Sequence, residues 1–484
     1  MSIEFVDLDK AGPDREEEQV SGMGMLLVPS DGTWHASHPD AGLHLSSTGS
    51  LKPLAGQFWL TDVEFDHIRP VADEVRTANV RADGWLRLNA QQIRNAWGLS
   101  GHPEPTNARI MGGVANRVWH LIQEVLHRDG ANGTSVPDTI RKIQRSASLA
   151  TGITLAHAQR MEQATPDDQR AREHLKRAYQ HGMYISGRKG IDIGEIRLAF
   201  QFPRLAYARM LTAAPVPAAA VWQAATRRDR VSPEDFVRDM AATGRPAIYK
   251  AVCEMTQGFA PEHVEAFSNR PGASETYRSR WIEEEIAILG QHGTVAVEGA
   301  IAGGGWTETS TGRLIRLLEE TCGGAGPAAS SWSAGLAADN IIASAFRKVG
   351  KEKDIFAPEP VWLAARDRVM MFPAVARLCA SGASLVSAQA GTITVKAPAD
   401  PELLMVLVTT AWEQGLHLPL GDVEELVAAG VAVPHERPLF GGADVDYLLS
   451  RVVHRGQRQA MWQLDGIMDL PSAERAARFR ALLS

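Results

Sequence analysis

The chain has 484 residues, 44% of them apolar and 22% charged, with a formal net charge of −7. This length and composition exclude a disordered or fibrous class and allow two to four domains with cores that need no metal or disulfide. The acidic balance excludes a protein that coats nucleic acid through its overall field and leaves room for a local basic groove.

Cys253, Cys322 and Cys379 are far apart in apolar contexts, as expected of small buried hydrophobes in a reducing compartment. The acidic N-terminal stretch "MSIEFVDLDKAGPDREEEQV" carries neither a signal core nor an Arg-rich amphipathic pattern. Apolar runs such as "ELLMVLVTTAW" stop well short of the roughly 20 residues that span a bilayer. The expected location is cytoplasmic.

In chain order, "GMLLVP", "GLHLSS" and "FWLTDVEF" alternate between turn formers and predict a small β-rich unit over residues 1–105. Within it, "FWLTDVEFD" would place Asp62, Glu64 and Asp66 on one face of a strand, the kind of acid row that can hold a divalent ion or simply face water. "WHASHPD" places His35 and His38 three apart in an expected loop, with no further ligand in view. Ile110, Val114, Val118, Ile122 and Leu126 recur every four residues and open a helical region over 106–183, whose charged stretch around "DDQRAREHLKRAYQH" reads as a solvated face.

From 184 to 400 the pattern mixes. "EIRLAFQFPRLAYARML" turns from extended to helical at Pro203. Further helices are expected over 218–226, 232–243, 246–256, 261–267 and 274–290, with Ser232 and Ser274 as N-caps. "EGAIAGGGWTETSTG" and "CGGAGPAASS" lack phosphate-loop and dinucleotide spacings and read as mobile loops. A long helix over 360–381 leads into "ASLVSAQAGTITVKAP", a strand, a tight turn and a strand, and a helical region fills 401–484. The fold class is therefore α+β, predominantly helical.

Three pieces of this region, taken in order, resemble the palm and fingers of B-family DNA polymerases over about residues 195–400. The family's first catalytic motif runs from an aspartate through an extended segment to an aromatic and a proline; "RLAFQFP" keeps Phe202 and Pro203, with Arg197 in the aspartate's place and Glu195 the nearest acid. On the family's fingers helix, "KAVCEMTQG" keeps Lys250 and Gly258 but has Glu254, Met255 and Gln257 at the other positions. In the family's two-aspartate hairpin, the aspartate positions fall on Gln389 and Gly391, or on Ala390 if the register shifts by one.

The resemblance implies a polymerase-palm-like antiparallel sheet with surrounding helices. Metal-assisted nucleotidyl transfer needs carboxylates around two divalent ions, and neither matched motif supplies them. The implied protein is a pseudoenzyme, with no catalytic residue, metal or cofactor, that binds nucleic acid or a replication partner and comes from a phage, plasmid or other mobile element. Backbone phosphates would meet Arg204, Arg245, Lys250, Arg366, Arg368 and Lys396. Two other readings stay open: a nucleotidyltransferase or nuclease using Glu195, Asp192 and the Asp62, Glu64, Asp66 row, and a structural or protein-binding role.

Overall fold

The computed structural model describes residues 22–28, 32–54, 57–61, 76–79, 104–128, 168–179, 183–184, 194–218, 222–227, 231–255, 276–321, 332–346 and 357–416. The class is α+β, as the sequence implies, with helix exceeding strand. No helix among these residues is long and apolar enough to cross a membrane.

The described residues between 22 and 79 are β-rich. Strands β1 (Gly24–Leu27), β2 (Trp34–His38), β3 (Leu43–Ser47), β4 (Phe58–Thr61) and β5 (Arg76–Asn79) form a mixed sheet in the order β3-β2-β1-β4-β5. Leu26, Trp34, Ala36, Leu54 and Trp59 make its core, and the indole N–H groups of Trp34 and Trp59 donate to the carbonyls of Gly49 and Leu54, both at 2.9 Å. The segment of His35 and His38 is a strand of this sheet rather than the expected loop. Three-residue spacing on a strand sends the two side chains to opposite faces. His35 Nδ1 bonds Ser46 Oγ, His38 Nδ1 accepts from the Ala41 amide, and burial pushes His38 down to about 4, so it is neutral.

Helix α1 (Glu104–Arg128) buries Val118, Ile122 and Leu126, the periodic face expected of it. It packs on β1 and β2 at Gly112, where a Cβ would lie 2.5 Å from the Ser37 carbonyl oxygen, so only glycine permits that approach. Helix α2 (Gln169–Ala178) is capped by Asp168.

Two antiparallel sheets form the rest. The first has the order β6-β14-β15-β7, from β6 (Met183–Tyr184), β7 (Glu195–Gln201), β14 (Ser384–Gln389) and β15 (Thr392–Pro398). The second has the order β11-β10-β12-β9, from β9 (Gln223–Thr226), β10 (Ala247–Met255), β11 (Thr276–Ile282) and β12 (Gly293–Ala302). A short ribbon joins β8 (Val216–Pro217) and β13 (Trp306–Thr307). Between and around them lie α3 (Arg204–Thr212), α4 (Pro233–Ala242), α5 (Glu283–His292), α6 (Ser310–Thr321), α7 (Trp332–Ala345), α8 (Pro358–Ala380) and α9 (Pro401–Glu413). One core is shared by both sheets, α8 and α9, through residues such as Phe200, Tyr249, Trp281, Leu378, Val395 and Leu407.

Several expectations hold: β7 passes to α3 through Pro203, Ser232 caps α4 by accepting the Asp235 amide, and α8 leads into a hairpin. Others are corrected. Residues 247–255 form β10, not a helix, so Lys250 is on a strand and the fingers-helix reading fails. Ala247, Tyr249 and Ala251 enter one core and Ile248 another, so both faces are apolar and the two-residue alternation that marks a strand is erased. Residues 223–226 are likewise strand, because pairing along β12 overrides the helix preference of alanine.

The stretch 274–290 divides into β11 and α5, and the helix begins where Glu283, Glu284 and Glu285 meet the positive end of its dipole. "EGAIAGGGWTETSTG" is not a loop but the end of β12, then β13 and the start of α6. Residues 261–267, Ser274, "CGGAGPAASS" and the Asp62, Glu64, Asp66 row lie outside the described residues.

Candidate nucleic-acid interface

The hairpin turn is built by two residues. Gln389 pairs with Thr392, and between them Ala390 (φ 48°) and Gly391 (φ 73°) both take left-handed backbone, the requirement of a type I′ turn. No carboxylate belongs to the turn itself, yet one reaches it from α8. Asp367 Oδ2 accepts the Ala390 amide at 2.6 Å, while Oδ1 accepts the Gly391 amide at 3.2 Å and the Tyr207 hydroxyl. Asp367 is fully buried.

A second clamp comes from α3 and α7. Arg204 donates to the Ala390 carbonyl at 3.0 Å and to Thr392 Oγ1 at 3.2 Å, and its Nε reaches both oxygens of Asp339 at 2.8 Å. Burial alone would lower the Arg204 proton affinity; the Asp339 carboxylate, helped by Asp367, more than offsets this and holds the group above its ordinary value. The Tyr207 ring lies under the turn so closely that a Cβ on Gly391 would sit 2.7 Å from it. Each group at this tip therefore has a partner inside the protein.

Away from the tip, the sheet presents one polar face. Pairing sets Arg197 opposite Lys396 and Lys396 opposite Ser384, then Ala199 opposite Thr394 and Thr394 opposite Ser387, then Gln201 opposite Thr392 and Thr392 opposite Gln389. Cross-strand partners share a face, so eight of these nine side chains are polar. The intervening positions Leu198, Phe200, Ile393, Val395, Leu385 and Ala388 enter the core. Arg197 is exposed and has no ion-pair partner among the described residues. Lys396, buried like Thr394, bonds Glu195 at 2.9 Å on the same face.

The six basic positions expected to meet phosphate are not brought together. Lys396 belongs to the polar face but is buried and bonded to Glu195, and Arg204 is engaged by the turn and Asp339. Arg366 is inside, bonded to Glu284 at 2.9 Å and to the Ala214 and Pro215 carbonyls, and Arg368 is fully buried against Glu285. Burial, opposed by Arg368, pushes the Glu285 carboxyl up. Neither guanidinium is open to a phosphate in this arrangement. On the second sheet, Arg245 binds the Gly303 carbonyl at 2.6 Å and Gln223 at 3.0 Å, and Lys250 pairs with Glu298 at 2.5 Å.

Tyr207, Asp339 and Asp367 were missed as parts of this site, and Arg197 was expected only in an aspartate's place, not among the phosphate contacts. Asp367 sits between two arginines in "ARDRV", where only the tertiary structure separates the inward acid from its neighbours. Glu195 and Asp367 approach opposite ends of β15, about 20 Å apart at ~3.3 Å per strand residue. They cannot share a pair of metal ions about 4 Å apart. Among the described residues, no three His, Cys, Asp or Glu side chains are grouped to hold a metal. Asp192 lies outside those residues.

Neither a protein-family profile nor a curated protein matches the sequence. Solved structures do match in shape: phi29 DNA polymerase with primer-template DNA and incoming nucleotides, at TM-score 0.34 and 11% identity, over 54% of this chain and 50% of that one. The same polymerase with single-stranded DNA gives 0.41 and 10% over 77% and 80%, and its post-translocation binary complex 0.40 and 11% over the same shares. In the first of these the chain spans half the polymerase's length. The likeness of fold is weak, and it assigns no role to any residue here.

Proposed function

We propose that this protein binds nucleic acid through the polar face of β7, β15 and β14, and that the hairpin takes no part in catalysis. The observation that carries this reading is Arg197. It is the exposed cation of a face whose other members are half-buried hydroxyls and amides, Ala199, the buried Thr394 and a compensated Lys396–Glu195 pair, beside a turn whose one carboxylate already accepts three internal hydrogen bonds.

Such a face suits the sugar-phosphate backbone: the half-buried Ser384, Ser387, Thr392 and Gln201 can donate to phosphate oxygens, and Arg197 adds charge without reading sequence. A cation where a polymerase needs a carboxylate repels divalent ions. With both Asp367 oxygens engaged, its metal-binding capacity is spent on the turn.

The test is fluorescence anisotropy with labelled single-stranded, duplex and primer-template DNA and single-stranded RNA, at about 50 mM salt, where phosphate contacts are strong. Binding that weakens in Arg197→Glu supports the reading. Absence of binding to all four sinks it, and primer extension in the presence of Mg2+ would sink its non-catalytic half.

A further inference from the structure

We infer that the exposed face of α2 is a second docking surface for the phosphodiester backbone, separate from the polar sheet face and resting on the nucleic-acid reading only for the class of partner. Arg170, His174 and Arg177 stand at i, i+4 and i+7 and so share one side of the helix. With Gln169 and Glu173 they line a surface depression of about 300 Å³. Arg172 and Lys176 add cationic charge, and Glu173 is the one acid within the helix.

The Glu173–Arg177 pair is 3.9 Å long, with both side chains more than half exposed, so it does little to hold Arg177. Arg170 is exposed and has no side-chain partner among the described residues. The two arginines are about 10 Å apart along the helix axis, which covers the rise of about three phosphates of one B-form strand.

The charge sign selects an anionic partner, and the composition selects which one. Ala171, Leu175 and Ala178, the apolar side of α2, are buried in a core with Trp222, Ile248, Ile282 and Trp362. No apolar face is left to enter a membrane interface, which an interfacial helix requires. A protein partner would meet an apolar interface centre, and the outward residues Gln169, Arg170, Glu173, Lys176 and Arg177 supply none. A polyanion needs neither.

The experiment compares the full chain with Arg170→Ala/Arg177→Ala, with the charge-preserving Arg170→Lys/Arg177→Lys, and with Arg197→Glu. Each is titrated with labelled single-stranded DNA over about 50 to 200 mM salt, and separately with phosphatidylserine vesicles, folding being checked by circular dichroism. The double alanine variant is expected to lose roughly tenfold in affinity at low salt and about 1.4 in the slope of log K against log salt, at about 0.7 per single-strand phosphate contact. The double lysine variant is expected to keep the slope.

Unchanged affinity and slope in the double alanine variant overturn the inference; if Arg197→Glu still weakens binding, the sheet-face reading survives alone. Loss in the double alanine variant with no effect of Arg197→Glu upholds α2 and removes the sheet face. Arginine-dependent vesicle binding without DNA binding, or no binding to DNA at all, overturns it.

Discussion

The carboxylate of Asp367 and the backbone amide of Ala390 lie 2.6 Å apart, joining a buried helix to the tip of a hairpin 23 residues further along the chain. Gly391 and Tyr207 share the same carboxylate. Removing it strands three buried donors. Asp367→Ala is therefore expected to lower stability by about 3 kcal/mol or more, and Asp367→Asn, which keeps an acceptor, by less. Urea denaturation of both variants decides this, and equal losses would contradict it.

The turn itself makes an asymmetric prediction. Gly391→Ala places a Cβ against the Tyr207 ring at a φ of 73°, so a loss of about 2 kcal/mol or more is expected. Ala390→Gly relieves a non-glycine residue at φ 48° and should be neutral or mildly stabilising, within about 1 kcal/mol. Thermal midpoints of the two variants should move in different directions or by clearly different amounts.

Divalent ions should not stabilise the protein through the hairpin turn or Glu195. A site of micromolar affinity would add about 4 kcal/mol at millimolar ion, yet both Asp367 oxygens are engaged and Glu195 is paired with Lys396. The expected outcome of thermal unfolding with Mg2+ or Mn2+ is the same response, if any, in the parent and in Asp367→Asn. A rise that disappears in Asp367→Asn would contradict the assignment of that carboxylate to the turn.

Glu283 gives a pH dependence. Burial, reinforced by the Glu284 carboxylate and opposed by Arg366, pushes its carboxyl up to about 7. An acid whose folded value lies above its unfolded value holds its proton longer in the folded state. Its contribution to stability is therefore full at low pH and falls as pH rises from the ordinary carboxylate range through 7. Glu283→Gln should be more stable than the parent at pH 8 and equal to it near pH 4, by urea denaturation at the two values; the reverse order would refute it.

Local signals in the sequence were strong where a residue's own backbone chemistry decides, as at Pro203, the Ser232 cap and the Gly391 turn of the hairpin. Helix α8, buried on every side over 358–368, was legible from its length. Local signals failed at β10, whose residues Ile248 and Tyr249 enter different cores, and at β9, whose alanines become strand only because β12 lies beside them. Of the site, the missing carboxylates of the turn and the Arg197 position were legible. Charge alone does not show that Arg366 and Arg368 turn inward: their partners Glu284 and Glu285 stand more than 80 residues away in sequence. The role of Asp367 was hidden by the same long-range packing.

Anisotropy of a labelled single strand of about 20 nucleotides, longer than a usual single-strand site, titrated at about 50 and 200 mM salt, tests nucleic-acid binding at the sheet face most directly. The expected result is binding that weakens with salt and an Arg197→Ala variant whose salt slope is smaller by about 0.7, one phosphate contact. A parent chain with no affinity at the lower salt, or an Arg197→Ala variant identical to it, would contradict the account.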